Sequence, residues 1–144
     1  MARLVVYLFG KPKNSNIQYL IDDYTSRITK RGISVLYFPE KKGTKEYENK
    51  LLSIDGELIL ADENGEKMKS LQFANIIKNI QLQTSTIYFA IGPSSGFSNK
   101  IKEKANSLIS LSHMTFPHEL AALLLIEQIY RGTEIIRNTP YHIE

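Results

Sequence analysis

The chain has 144 residues, of which 42% are hydrophobic and 10% aromatic, proportions that suit one globular domain and exclude a disordered chain. The absence of cysteine excludes disulfides, thiolate catalysis, iron–sulfur clusters and the common cysteine-based zinc sites. The net charge of +3, with a pI of about 9.0, permits an RNA partner without requiring one.

The first third of the chain alternates strand-like and helix-like patterns. Arg3 to Phe9 is an apolar run that predicts a buried parallel strand. Apolar residues then recur at helical spacing from Asn14 to Lys30, with Asn14 or Ser15 as the expected N-cap. Ile33 to Phe38 predicts a second strand.

The middle of the chain is more polar. Lys41 to Lys50 is charged and predicts a loop, which passes into a short helix around Leu51 and Ile54. Glu57 to Ala61 predicts a third strand, followed by a turn over Asp62 to Gly65.

The second half repeats the alternation. A helix is predicted from Ser70 to Ile80, a fourth strand from Thr86 to Ile91, and a polar helix from Ser98 to Lys104. Leu108 to Leu111 predicts a short fifth strand.

The longest helix is predicted to begin at Pro117 and to run to Arg131, where Gly132 is expected to end it. A polar tail, Thr133 to Glu144, follows. Five strand–helix alternations predict an α/β domain with a parallel sheet covered by helices on both faces, a three-layer sandwich over residues 1–144.

No segment has the composition of a leader or a membrane span. The opening apolar run is too short for a signal sequence, and Leu120 to Ile126 is interrupted by Glu127, whereas a span needs ~20 apolar residues. We therefore expect a cytoplasmic protein with no membrane partner.

Ligands of open α/β sheets bind at the carboxyl ends of the strands, where three loops are predicted here: Ala61 to Gly65, Gly92 to Gly96, and Ser112 to Pro117. Gly92 and Gly96 flank Pro93-Ser94-Ser95 directly after a strand, and glycines allow close approach of the backbone to a ligand. An ordinary tight turn explains the same residues, and neither a dinucleotide nor a triphosphate motif is present.

Other candidate groups are sparse. His113, His118 and His142 lack metal-ligand spacing, so no metal is expected. Glu127 and Arg131, four apart on one helix, favour a local ion pair. The tail ending in Tyr141-His142-Ile143-Glu144 either frays or folds back over a site and brings His142 with it.

Three stretches together resemble one family. They are Leu111 to Leu120 (Leu-Ser-His-Met-Thr-Phe-Pro-His-Glu-Leu), Ile126 to Gly132 (Ile-Glu-Gln-Ile-Tyr-Arg-Gly), and the ending Asn138 to His142 (Asn-Thr-Pro-Tyr-His). The combination, over a chain of this length, is similar to the large-subunit ribosomal RNA pseudouridine N3-methyltransferases, minimal members of the SPOUT class.

The resemblance implies a C-terminal trefoil knot, an obligate homodimer with an RNA site shared between subunits, and S-adenosylmethionine (SAM) as cofactor. The knot is a feature that no periodicity would predict. The implied cofactor contacts are nine residues at the strand ends: Ala61, Gly92, Gly96, Leu111, Ser112, His113, Met114, Thr115 and Phe116.

The resemblance also implies that the tail takes part in the reaction. His142 is the candidate for a base or for a positioning group, and Tyr141 is the candidate for packing on the target base or the cofactor. The candidate phosphate contacts are basic residues: Arg131, Arg137, Lys11 and Lys13, with Lys41, Lys42 and Lys45 as either an outer RNA surface or a solvated loop.

Four residues depart from the family pattern, namely Ala61, Pro93, Ala122 and Ile143. The first two replace a leucine and a second glycine at the cofactor loops. The last two replace basic residues and so remove positive charge near the implied RNA site. They leave open a non-catalytic RNA- or ribosome-binding homologue, and a methyltransferase of the same fold that acts on another RNA.

Overall fold

The computed structural model describes residues 3–143; Glu144 at the end of the predicted tail lies outside this range, as do the first two residues of the predicted domain. Five strands form one sheet, and all of its paired neighbours are parallel. In chain order the strands are β1 (Leu4–Phe9), β2 (Ile33–Phe38), β3 (Glu57–Lys67), β4 (Ile87–Ile91) and β5 (Ser107–Ser110). Their order across the sheet is β2-β1-β4-β3-β5.

Helices cover both faces of this sheet, which confirms the predicted three-layer α/β architecture. The helices are α1 (Ser15–Thr29), α2 (Thr44–Leu52), α3 (Ser70–Ile80), α4 (Asn99–Lys104) and α5 (His118–Ile136), with a short 3-10 turn at Glu40–Lys42. Helices α1, α3 and α5 pack on one face of the sheet, and α2 and α4 pack on the other.

Alternation along β1 explains why two cores form. Residues at positions 4, 6 and 8 join the core beneath α1, α3 and α5, whereas residues at 5, 7 and 9 join the core beneath α2 and α4. All six are buried. A continuous apolar run is therefore what a strand covered on both faces requires.

Asn14 rather than Ser15 caps the first helix. Its side-chain oxygen accepts hydrogen bonds from the N–H groups of Asn16 at 2.9 Å and Ile17 at 3.2 Å. These two donors have no carbonyl partner within the helix, so the cap stabilises the start of α1.

The prediction of a loop over the charged segment 41–50 was wrong, because α2 already begins at Thr44. Tyr47 and Leu51 are four residues apart and both are 0% exposed, so one face of the helix is firmly anchored in the core. The surrounding charges lie on its other face. Gly43, at a φ of 91°, separates the helix from the preceding turn.

The predicted end of the third strand at Ala61 was also wrong. β3 continues to Lys67, with the pairing to β5 interrupted between Ala61 and Glu66. The intervening residues make the local turn that the sequence suggested, since the N–H of Asn64 donates to the Asp62 carboxylate at 3.1 Å. The pairing of β3 with β5 then resumes at Glu66. Gly65 approaches β5 so closely that a Cβ there would lie 2.7 Å from the backbone of Ile109.

Gly132 does not end the last helix, contrary to the prediction. It is buried inside α5, and a Cβ there would lie 2.7 Å from Cδ1 of Ile77 and 3.4 Å from Cα of Ala74. Glycine therefore serves close packing of α5 on α3, and the helix extends to Ile136. The part of the tail that the structure describes outside α5 is residues 137–143.

Within residues 3–143, no helix combines the length and the hydropathy needed to cross a bilayer.

Candidate functional site

A cleft lies at the carboxyl end of β4 and beside the irregular middle of β3, between the segment that follows β5 and the first turn of α5. Eight of the nine predicted cofactor residues line it: Ala61, Gly92, Gly96, Leu111, Ser112, Met114, Thr115 and Phe116. The ninth, His113, is exposed and is not among the lining residues. Parallel strands bring these separate loops to one edge of the sheet, as the sequence predicted.

The loop after β4 is shaped by two glycines. A Cβ on Gly92 would lie 3.1 Å from the ring of Phe97, so any side chain here would press on this ring. Gly96 adopts a φ of 79°, and its N–H donates to the Pro93 carbonyl at 2.8 Å. The loop is thus a tight turn held over a buried aromatic ring, and its glycines also face the cleft.

A buried tyrosine supports this loop from below. Tyr47 is 0% exposed, and its hydroxyl donates to the carbonyl of Ile91 at 2.6 Å, with the carbonyl of Tyr7 at 3.2 Å. Ile91 directly precedes Gly92, so Tyr47 ties α2 to the ends of β1 and β4 beneath the cleft. Burial raises the pKa of Tyr47, and the hydroxyl therefore remains protonated.

Two carboxylates lie at the cleft within the Ala61 to Gly65 loop, which the sequence placed among the ligand-binding loops without singling out either side chain. Glu63 accepts a hydrogen bond from the Thr115 hydroxyl at 2.6 Å, which connects the loop after β5 to β3. Asp62 pairs with Lys102 of α4 at 3.2 Å. Asp62 and Glu63 directly follow the apolar run of β3. Together they give this wall of the cleft acidic character.

The described part of the tail folds back on α5 and α1. The Tyr141 hydroxyl donates to Glu127 at 2.8 Å and lies 3.2 Å from the Tyr24 hydroxyl, while the two rings of Tyr141 and Tyr130 meet edge to face at 4.7 Å. Burial raises the pKa of Tyr141, with its hydrogen bonds to Tyr24 and Glu127 as further causes. The phenol is therefore a protonated anchor for the tail.

Arg131 is the centre of this anchor. Its guanidinium donates to Glu127 at 2.9 Å, confirming the predicted ion pair, and lies 5.0 Å from the centre of the Tyr141 ring. A second nitrogen of the same guanidinium lies 3.1 Å from Nδ1 of His142. The side chain is only 25% exposed, so these contacts within the chain occupy most of it.

The other predicted phosphate contacts are more accessible. The Arg137 side chain is 55% exposed, 4.0 Å from the Glu134 carboxylate. Lys11 is exposed and its ammonium lies 5.6 Å from the centre of the Tyr37 ring. Lys13 is exposed too, although its backbone N–H donates to Glu119 at 3.0 Å.

Two of the four unusual residues have clear surroundings. Ala122 is 5% exposed and lies near Phe9, Gly10 and Pro12, so its departure concerns packing of α5 against the end of β1 and not an open surface. Ile143 is 84% exposed at the end of the described tail.

The cleft and the tail lie at opposite ends of α5 in one chain. His118 lines the cleft, whereas Glu127 and Arg131 hold the tail; at a rise of roughly 1.5 Å per residue these positions are about 14 and 20 Å further along the helix axis. Neither Tyr141 nor His142 is among the cleft-lining residues. Among residues 3–143, no group of three His, Asp or Glu side chains is placed to hold a metal ion.

Comparison with known proteins places these observations in a family context. Residues 2–142 match the family described as "Predicted SPOUT methyltransferase". The chain is 40% identical to the Ribosomal RNA large subunit methyltransferase H of Flavobacterium johnsoniae, over 92% of this chain and 94% of that protein. It is 39% identical to the protein of the same name from Prochlorococcus marinus, over 99% and 97%.

A solved structure shows the same fold at much lower identity. The SpoU methyltransferase AviRb of Streptomyces viridochromogenes, in complex with AdoMet, aligns with a TM-score of 0.51 and 14% identity. The alignment covers 92% of this chain and 59% of AviRb, and at this identity the likeness concerns the fold alone.

Proposed function

The chain belongs to the SPOUT methyltransferase family, and we propose that it transfers a methyl group from SAM to N3 of a pseudouridine in large-subunit ribosomal RNA. The observation that carries this proposal is the cleft, in which eight predicted cofactor residues from three separate loops converge. The names of full-length relatives at 39–40% identity support ribosomal RNA as the substrate.

The chemistry of the cleft fits a cationic nucleoside cofactor. Leu111 and Phe116 offer apolar walls to an adenine ring, and the Gly92 loop offers backbone without a side chain in the way. Asp62 and Glu63 complement the positive charge of a sulfonium. When bound, SAM supplies an electrophilic methyl group, so the protein needs neither a metal nor a nucleophilic side chain.

We assign His142 to the target base, as the polar group of a tail that Tyr141 anchors. The remaining work of the protein is to hold the accepting nitrogen in line with the methyl group and to stabilise the charge that develops on the base. Tyr141 keeps its proton and accordingly holds the tail in place instead of acting as a base.

We propose further that the enzyme works as a homodimer, because one chain keeps its tail about 14–20 Å from its own cleft, measured along α5 at roughly 1.5 Å per residue. Leu120, Leu124, Glu127 and Arg131 lie on one face of α5, and all four are only half-buried. A second copy packed antiparallel along this face would bring its tail to the cleft. The trefoil knot implied by the resemblance and the expected cytoplasmic location remain part of the same proposal.

RNA contacts in this proposal come from exposed cations, chiefly Lys11, Lys13 and Arg137. A chain this small offers little surface for recognition of sequence. We therefore expect the assembled ribosome, more than free RNA, to supply the shape that is recognised.

The test is methyl transfer from labelled SAM to ribosomes from cells that lack this protein, with the modified nucleotide identified by mass spectrometry. Label in an N3-methylated pseudouridine of large-subunit RNA is expected, and Gly92→Val should abolish it because the added side chain meets the Phe97 ring. If SAM binds but no ribosomal label appears, another RNA is the substrate. If SAM does not bind either, the protein is a non-catalytic homologue.

A further inference from the structure

The charges that line the cleft are not balanced. Asp62 and Glu63 both line it, and no lysine or arginine is among its described lining residues. Asp62 pairs with the Lys102 ammonium at 3.2 Å, so that its charge is largely compensated. Within residues 3–143, Glu63 forms no ion pair with a lysine, arginine or histidine. The described walls of the cleft therefore carry an uncompensated negative charge at Glu63.

This charge is held in place although Glu63 is exposed. Its carboxylate accepts a hydrogen bond from the Thr115 hydroxyl at 2.6 Å, and its backbone carbonyl accepts one from the Ser110 hydroxyl at 3.2 Å. Thr115 itself lines the cleft from the segment after β5. Backbone and side chain of Glu63 are thus tied to β5 and to the segment that follows it, which keeps the carboxylate beside the cleft.

The cofactor before methyl transfer and the product after it differ chiefly in charge. The sulfur of SAM is a sulfonium with one positive charge. When the S–CH3 bond breaks, the methyl group leaves without the electron pair, and the sulfur becomes the neutral thioether of S-adenosylhomocysteine (SAH). The adenosine and amino acid parts of the two molecules are the same. A residue that favours SAM over SAH must therefore respond to the charge on sulfur or to one methyl group.

We propose that Glu63 is a specificity-determining residue that favours the cationic cofactor over its neutral product. The proposal deepens the proposed function and rests on it for the identity of the cofactor. The carboxylate needs no direct contact with the sulfur, because Coulomb attraction acts over a screening length of about 8 Å at physiological salt. A cleft of about 230 Å³ keeps a bound ligand within this range of its walls. Methyl transfer removes the attraction, and the product is released more readily.

The neighbouring carboxylate should contribute less to this preference. The ammonium of Lys102 lies next to Asp62, so the pair presents almost no net charge to a ligand. For Glu63, attraction of one nearby positive charge at a partly solvated site corresponds to about three- to tenfold in affinity. The same carboxylate gives a neutral sulfur no comparable gain.

Calorimetric titration with SAM and with SAH tests the proposal on the protein without RNA. Glu63→Gln removes the charge and keeps an acceptor for the Thr115 hydroxyl. In this variant the Kd of SAM should rise by about three- to tenfold, whereas the Kd of SAH should change by less than about twofold. Sinefungin, in which an ammonium group takes the place of the sulfonium, should follow SAM. Glu66→Gln is the matched control, because Glu66 is exposed on β3 and does not line the cleft.

Two results would overturn the role of Glu63. Unchanged affinities in Glu63→Gln would show that its charge does not reach the ligand. Equal weakening of SAM and SAH would show that the residue acts through the position of the loop and not through charge. Added salt gives a second readout, because it screens exposed charges: it should bring the SAM-to-SAH preference of the parent closer to that of Glu63→Gln.

These readouts separate the new proposal from the proposed function. The expected shifts in Kd, with no methylation of ribosomal RNA, would reject the proposed substrate and leave the role of Glu63 in place. Methylated pseudouridine, together with the same SAM-to-SAH preference in the parent and in Glu63→Gln, would reject the role of Glu63 and leave the function in place.

Discussion

Removal of one buried hydroxyl beneath the cofactor cleft should cost both stability and cofactor binding. In Tyr47→Phe the ring keeps its packing against Phe9, Phe38 and Phe97, whose ring centres lie 5.1 to 6.2 Å away. The change therefore isolates the hydrogen bond to the Ile91 carbonyl at 2.6 Å.

The expected loss follows from burial. Because Tyr47 is 0% exposed, no water can take the place of its hydroxyl as the donor to the Ile91 carbonyl. A buried acceptor that loses its donor lowers the free energy of unfolding by about 1–3 kcal/mol. Ile91 leads directly into Gly92, so the loop should lose part of its fixed position. Since about 1.4 kcal/mol corresponds to tenfold in affinity, we expect SAM binding to weaken by about three- to tenfold.

The assay is urea unfolding at fixed protein concentration, together with calorimetric titration of SAM. Tyr19→Phe is the matched control, because Tyr19 is 72% exposed and its hydroxyl is in water in both the folded and the unfolded state. A Tyr47→Phe protein as stable as the Tyr19→Phe control would show that the hydroxyl does not support the strand ends. Lower stability with unchanged SAM affinity would refute only the link to the loop.

Two further predictions concern the surroundings of the cleft. Gly65→Ala should lower the free energy of unfolding by about 2 kcal/mol or more, because its Cβ would lie 2.7 Å from the Ile109 backbone. The control Asn64→Ala, at an exposed position, should change this free energy little. Thermal unfolding compares the two variants, and equal melting temperatures would refute the close approach. Glu119→Gln should make the free energy of unfolding depend less on pH under acidic conditions. The N–H of Lys13, more than other contacts, lowers the pKa of Glu119, so its contribution is present above the unfolded value of about 4.3 and is lost as the pH falls through the folded value. The control Glu103→Gln, at an exposed position, should unfold in acid as the parent protein does. The same result for Glu119→Gln would contradict the prediction.

The sheet and most helices could be predicted because each is specified locally. The continuous apolar run of β1 indicates a strand covered on both faces. The helical spacing of apolar residues in α1 indicates a helix that is buried on one face. The errors occurred where a distant contact decides the outcome. Gly132 looks like a helix end in sequence, and only the proximity of Ile77 shows that it serves packing.

The candidate site was predictable in part for the same reason. The Gly92 loop and the segment after β5 can be placed from sequence, since parallel strands bring their carboxyl ends together. Asp62 and Glu63 were placed in a candidate ligand loop, but no role could be assigned to either, because an ordinary turn and a bulge beside a cleft have the same local sequence pattern. No rule of composition or spacing links Glu63 to Thr115, which lies 52 residues away in sequence.

Arg131 shows most clearly how a contact changes the meaning of a residue. A basic side chain in a protein of positive net charge favours a phosphate contact on frequency alone. A phosphate ligand would have to compete with the Glu127 carboxylate at 2.9 Å and with the face of Tyr141, both supplied at no cost in association entropy. RNA binding through Arg131 would therefore release the tail from α5, whereas binding through Arg137 or Lys11 would not. The salt dependence of ribosome binding should accordingly fall when Arg137 is neutralised and remain unchanged in Arg131→Met.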